Sequence, residues 1–220
     1  MKLAGAAGVL GFALAAFGSG VLGAFDGGAI WQFPATDSST ADVGAFIAAH
    51  RGSALAAMLL NTAGVTLWLV FGAGVWLFLR PLSADGMLPT CFVGGMGAMV
   101  TLILAGFVPF FVLAYRAGHD AAHARLLYDA TFGLLAISGA PAVLALGSYA
   151  AIVLRGDGLP RWTAWLALLG AAAHVVLLGS FLFTHGFVSL EGQVITVIPA
   201  TLFVWILGTS IALLRAPEPA

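Results

Sequence analysis

Charge is what this sequence has least of. Its 220 residues include eight Lys and Arg, nine Asp and Glu, and a net charge of −1. No segment is basic enough to neutralise a phosphate backbone, which excludes nucleic acid as a partner. Cysteine is scarcer still. Cys91 stands alone, so an intramolecular disulfide, a CxxCH haem attachment and a Cys-rich metal site are all excluded. Missing too are a P-loop, a dinucleotide fingerprint, a Ser-nucleophile elbow and a His-Glu-x-x-His helix.

Apolar residues fill the space that charge leaves. They make up 61% of the chain, against about 45–50% in soluble domains. The mean hydropathy is +1.07. A soluble protein of this size has no single core large enough to hide that surface. The apolar residues fall into six runs, each near the roughly 20 residues that cross a bilayer core. The spans are placed at about 3–25, 52–79, 90–115, 127–154, 162–184 and 194–214. The fold class is therefore all-α: one polytopic membrane domain, a bundle of six transmembrane helices. Pro109, Pro141 and Pro199 fall inside spans three, four and six and predict kinks there.

Lys2, the apolar run 6–17 and the small residues up to Ala24 have the outline of a signal peptide. Leu22 stands where a cleavage site needs a small residue, so the first helix is expected to be retained. Gly5, Gly8, Gly11, Ala15 and Gly18 give that helix one smooth face for close helix packing.

Basic residues set the orientation. With the N-terminus inside, Lys2, Arg80, Arg155, Arg161 and Arg215 face the cytoplasm, and Arg51, Arg116 and Arg125 lie outside. Five against three predicts N-in and C-in. Asp26, Asp37, Asp42, Asp120, Asp129 and Glu191 would lie outside, and Asp85, Asp157 and Glu218 inside. Trp31 and Trp162 near span ends fit an interfacial belt. The first outer loop, 26–51, contains turn residues from Pro34 to Thr40. One of Asp37, Ser38, Ser39 and Thr40 is expected to cap a short surface helix over 41–50, with Val43, Phe46 and Ile47 on one face.

A faint repeat runs along the chain. His50 precedes a span ending at Arg80, His123 one ending at Arg155, and His185 one ending at Arg215. Asp85-Gly-Met-Leu-Pro89 and Asp157-Gly-Leu-Pro160 lead into the spans that follow. Hairpin duplication explains this pattern, and so does the ordinary placement of Arg and His at membrane edges. The six-span layout, the His50-Arg51 close of the surface helix and the Gly158-Leu-Pro-Arg-Trp162 entry resemble a group of uncharacterised bacterial membrane proteins, classed only as a domain of unknown function. The resemblance implies a bacterial inner (plasma) membrane location and transfers no catalytic residue.

Two sets of residues can carry chemistry. His50, His119, His123 and His185 map to the outer rim, and His119 and His123 share a helical face with Asp120. Such imidazoles can ligate a transition metal or haem iron, with Asp120, Asp129 or Glu191 completing or orienting the site. Solvated interfacial side chains are the plainer account. His174 lies within span five, where an ionisable group is costly and often functional. It is a candidate haem ligand, proton relay or quinone partner, or else a neutral imidazole bonded to a neighbouring helix through Asn61, Ser138 or Thr101. Asn61, Thr62 and Thr66 add polarity to span two. Cys91, Met96 and Met99 are soft atoms that also serve as apolar filler.

Three functions are compatible with these features. The first is a non-enzymatic accessory or helix-packing subunit, working with a membrane-protein partner or a second copy of itself. It is favoured because the spans contain no Asp, Glu, Lys or Arg near their centres. The second is a haem- or transition-metal-binding redox protein using the rim histidines. The third is a permease for a small neutral solute, using His174, Asn61 and the kinks at Pro109 and Pro199.

Overall fold

The computed structural model describes residues 1–23, 33–83, 86–117, 123–156 and 158–216. The helices are α1 (Lys2–Gly23), α2 (Thr40–Leu79), α3 (Met87–Tyr115), α4 (Ala124–Ile137), α5 (Gly139–Arg155), α6 (Arg161–Leu178) and α7 (Val194–Arg215). Short 3₁₀ turns extend α2 over Arg80–Leu82 and α6 over Gly179–Leu182. No strand occurs among the described residues. Six stretches are long and apolar enough to cross a membrane, with α4 and α5 together forming one broken span.

Their order closes a ring. Helix α1 packs on α2 and α7, α2 on α3, α3 on α4 and α5, α5 on α6, and α6 on α7. Lys2 donates from Nζ to the Leu214 carbonyl at 2.5 Å, so both termini lie at one end, called proximal below. Gly158, in the α5–α6 loop, abuts Phe78 and Leu82 at the end of α2, so those turns share the proximal end as well. Outward-facing positions such as Leu10, Leu59, Leu69, Val108, Leu169 and Val204 are exposed. In water they would be a liability; in hydrocarbon they are solvated by lipid tails.

Close approach between helices depends on missing side chains. A Cβ on Gly64 would lie 2.6 Å from the Gly11 carbonyl oxygen and 2.8 Å from the Ala15 nitrogen. These are backbone atoms, which cannot step aside. A Cβ on Gly95 of α3 would likewise lie 2.7 Å from the Pro141 oxygen and 2.8 Å from the Ala145 nitrogen. The smooth face expected on α1 is therefore divided: Gly5 meets α7, Gly8 meets both Ser210 of α7 and Phe71 of α2, and Gly11 and Gly18 meet α2.

Two segments differ from the sequence expectation. The surface helix expected over 41–50 is not separate but forms the first turns of a continuous 40-residue α2. Ser39 caps it, with its Oγ accepting from the Asp42 N–H and the Asp42 carboxylate accepting from the Ser39 N–H. The buried stripe of Val43, Ile47, Ala54, Ala57 and Met58 runs on without a change of face. Gly52 alone, among helix-forming alanines, is too weak to break it. Arg51 then donates from Nε to the Ala114 carbonyl at 3.1 Å, near the end of α3. Span four, expected as one kinked helix, is two. Pro141 has no N–H for the Ile137 carbonyl four residues earlier, and the break falls at Ser138. Pro109 and Pro199 lie inside α3 and α7 without ending them.

Candidate functional site: an intramembrane cavity

A cavity of about 850 Å³ occupies the half of the bundle away from the termini, called distal below. Every span contributes to its wall: Ala16 and Ser19 from α1, Met58, Asn61 and Trp68 from α2, Ile103 and Phe107 from α3, Thr131 and Leu135 from α4, His174 from α6, and Pro199, Ala200 and Phe203 from α7. Positions where helical bonding is interrupted border the space. Pro199 and Ser138, at the break between α4 and α5, both lie in the wall. No Asp, Glu, Lys or Arg is among the described residues that line it.

His174 and Asn61, singled out from sequence, both face this cavity and are 3% and 5% exposed. Of the alternatives for His174, a bond to a neighbouring helix is not seen among the described residues. Its Nδ1 lies 2.7 Å from the Gly170 carbonyl oxygen of its own helix. A carbonyl only accepts, so Nδ1 carries the proton. Gly139 lets α5 come close at this level, since a Cβ there would sit 3.0 Å from the His174 carbonyl oxygen. Asn61 donates from Nδ2 to the Ala57 carbonyl at 2.9 Å and accepts the Ser19 hydroxyl at 3.4 Å. Thr62 and Thr66 form no part of the site; the Thr66 hydroxyl simply donates to the Thr62 carbonyl. Met96 and Met99 are buried core residues, with Met96 packed on Gly72.

A strap, residues 33–39, crosses the distal end beside the cavity. Phe33 lines the cavity and makes edge contacts with Phe46, Phe110 and Phe132. Polar groups tie the strap down. The Tyr128 hydroxyl donates to the Pro34 carbonyl at 2.9 Å, Arg125 donates to the Ser38 carbonyl, and Thr36 donates to the Glu191 carboxylate. Arg125 also pairs with Asp129 at 2.8 Å. Glu191, 4% exposed, lies in the loop before α7. Burial pushes its pKa up, the neighbouring Asp129 carboxylate pushes it the same way, and the Thr36 hydroxyl opposes both.

The rim histidines are placed differently. His50 stacks against Phe46 with ring centres 4.9 Å apart, and His123 takes the N-cap position of α4. His185 lies 3.8 Å from the Asp37 carboxylate on an exposed surface. His119 and Asp120 lie outside the described residues. Among the described residues, no three His, Cys, Asp or Glu side chains converge where they could hold a metal ion. The association that the sequence left unremarked is the one between Thr36, Asp129 and Glu191, because it joins three separate loops and helices. Thr131 was missed as well; a threonine in an apolar run is a weak signal. Compared with protein-family models, curated proteins and solved structures, the chain matches none.

Proposed function

We propose that this chain is a bacterial inner-membrane protein, with both termini cytoplasmic, that binds a neutral and mostly apolar small molecule in the distal half of its bundle. In that role it would serve as a carrier or permease rather than as a packing subunit alone. One observation carries the reading: a cavity of about 850 Å³ with an apolar wall, a handful of polar groups and no charged side chain among the described residues that line it. Ligand sites are typically of this kind, roughly 300–1,000 Å³ and apolar with a few placed polar groups. A helix-packing subunit would have no use for such a space. A void lined by side chains in lipid forfeits van der Waals contact, which is the main force holding membrane helices together. The cytoplasmic placement of the termini is supported by the five basic residues on the proximal side of the spans. The bacterial location is supported only by the sequence resemblance.

Solvent extraction of detergent-purified protein, followed by mass spectrometry, tests the reading. Wild type is expected to release a neutral apolar compound near one per chain. Ala200→Trp, which fills the cavity from α7, is expected to release little of it. Equal recovery from both proteins, or only bulk lipid from either, would count against a binding cavity.

A further inference from the structure

Three polar side chains that line the cavity share one property. The Thr131 hydroxyl donates to the Leu127 carbonyl at 2.9 Å, and the Ser138 hydroxyl donates to the Leu135 carbonyl at 2.6 Å. With its single proton committed to the backbone, each hydroxyl has only lone pairs left to offer. His174 follows the same pattern: in a neutral imidazole the Gly170 carbonyl fixes the proton at Nδ1, leaving Nε2 as an acceptor. The Asn61 amide gives one of its two protons to the Ala57 carbonyl, and its nitrogen lies against Gly18, where a Cβ would sit 2.7 Å away. The Trp68 indole N–H has no partner among the described residues, and its nitrogen is buried beside Gly11. Pro199 adds to the imbalance, since it withholds a helical N–H from the carbonyl of Ile195, another lining residue.

Resting on the cavity reading above, we infer that this site selects apolar molecules that donate a hydrogen bond. The ligand class is an alcohol, phenol or hydroquinone, not a ketone, quinone or ether. A hydroxyl entering the cavity meets His174 Nε2, Thr131 Oγ1 and Ser138 Oγ, all able to accept. A carbonyl entering the same space would surrender its hydration and meet no free donor among these groups. Sites built to hydrogen-bond one partner reject the analogue that cannot do so far more strongly than they reject a change in size.

A matched pair of probes tests this: 2-naphthol, which donates, and 2-methoxynaphthalene, which cannot. Wild-type protein in lipid nanodiscs is dialysed against each probe, with empty nanodiscs as the control for partitioning into lipid. Wild type is expected to hold 2-naphthol at least about tenfold more tightly than the ether. His174→Phe is expected to bring that ratio close to one, and Thr131→Val to lower it by a smaller factor. The wild-type ratio decides the matter even if a variant fails to fold. Equal binding of both probes, or preference for the ether, would overturn donor selection while leaving the cavity a binding site. Retention of neither probe above empty discs, in wild type as in Ala200→Trp, would overturn the selectivity and the cavity reading together.

Discussion

Helix α7 passes through two different environments. In the proximal half Trp205 is fully buried, with Phe71, Phe92 and Tyr149 ring centres 5.2–6.4 Å away. Below it the Tyr149 hydroxyl donates to Thr163 Oγ1 at 2.7 Å, with Thr209 Oγ1 3.4 Å away, a small polar knot closed on itself. Toward the distal half, Pro199 and Ala200 of the same helix line the cavity, and Phe203 borders it while packing edge-on against Trp68 and Phe12. The difference teaches where each half gets its shape. The proximal half is fixed by aromatic interlock. The distal half contains the cavity beside the break at Ser138 and is spanned by a strap.

The largest expected effect comes from attacking the tight crossing that both halves depend on. Gly64→Leu should abolish the folded protein, because its Cβ alone would collide with backbone of α1. Size-exclusion chromatography in detergent should show aggregate in place of a single peak. A well-folded Gly64→Leu protein would mean that α1 is less tightly seated than the geometry requires.

Next in size is a matched pair on α7. Trp205→Ala in the packed half should cost roughly 2–4 kcal/mol, mostly from the cavity it leaves, since lipid-embedded side chains gain little from transfer alone. Phe203→Ala loses edge contacts with Trp68 and Phe12 and enlarges a space already present, so it should cost less, roughly 1–2 kcal/mol. Unfolding in mixed micelles measures both. Equal losses would erase the contrast between the halves.

The smallest effect lies at the strap. Glu191 has its folded-state pKa raised, so the folded protein binds more proton there than the unfolded chain does. Stability is therefore full at low pH and declines as pH climbs from the usual glutamate value through the raised one. Glu191→Gln should remove that decline and melt above wild type at pH 8, with the two converging at pH 4. The amide can still accept from Thr36, so the tie to the strap is kept. Parallel melting curves for the two proteins across this range would sink the account.

Much of the frame was legible in the sequence because hydropathy depends on composition alone. All six spans, the interruption near Pro141 and a cap among residues 37–40 follow from local chemistry, and Ser39 proves to be the cap. The unbroken α2 was not legible, because a turn-rich approach and a glycine at 52 look the same whether or not the helix continues. His174 and Asn61 stood out as polar residues in apolar runs. Their shared cavity did not, since it depends on the rotation of six helices about their axes. The carboxylates of Asp129 and Glu191 were visible only as separate outer residues. Their meeting requires the strap, and nothing in local spacing reports a contact between residues 36 and 191.

The contact of α1 with α7 has a consequence for biogenesis. Lys2 and Leu214 are far apart in the sequence, yet Gly5 lies against Ser210 and Leu214 of α7, and Gly8 against Ser210 of α7 and Phe71 of α2. Until α7 is synthesised, the side of α1 that meets it is exposed to lipid, and the ring is an open arc. Chains at that stage should thus remain adaptable, with the cavity open on one side. The cavity gains its sixth wall only once α7 is in place.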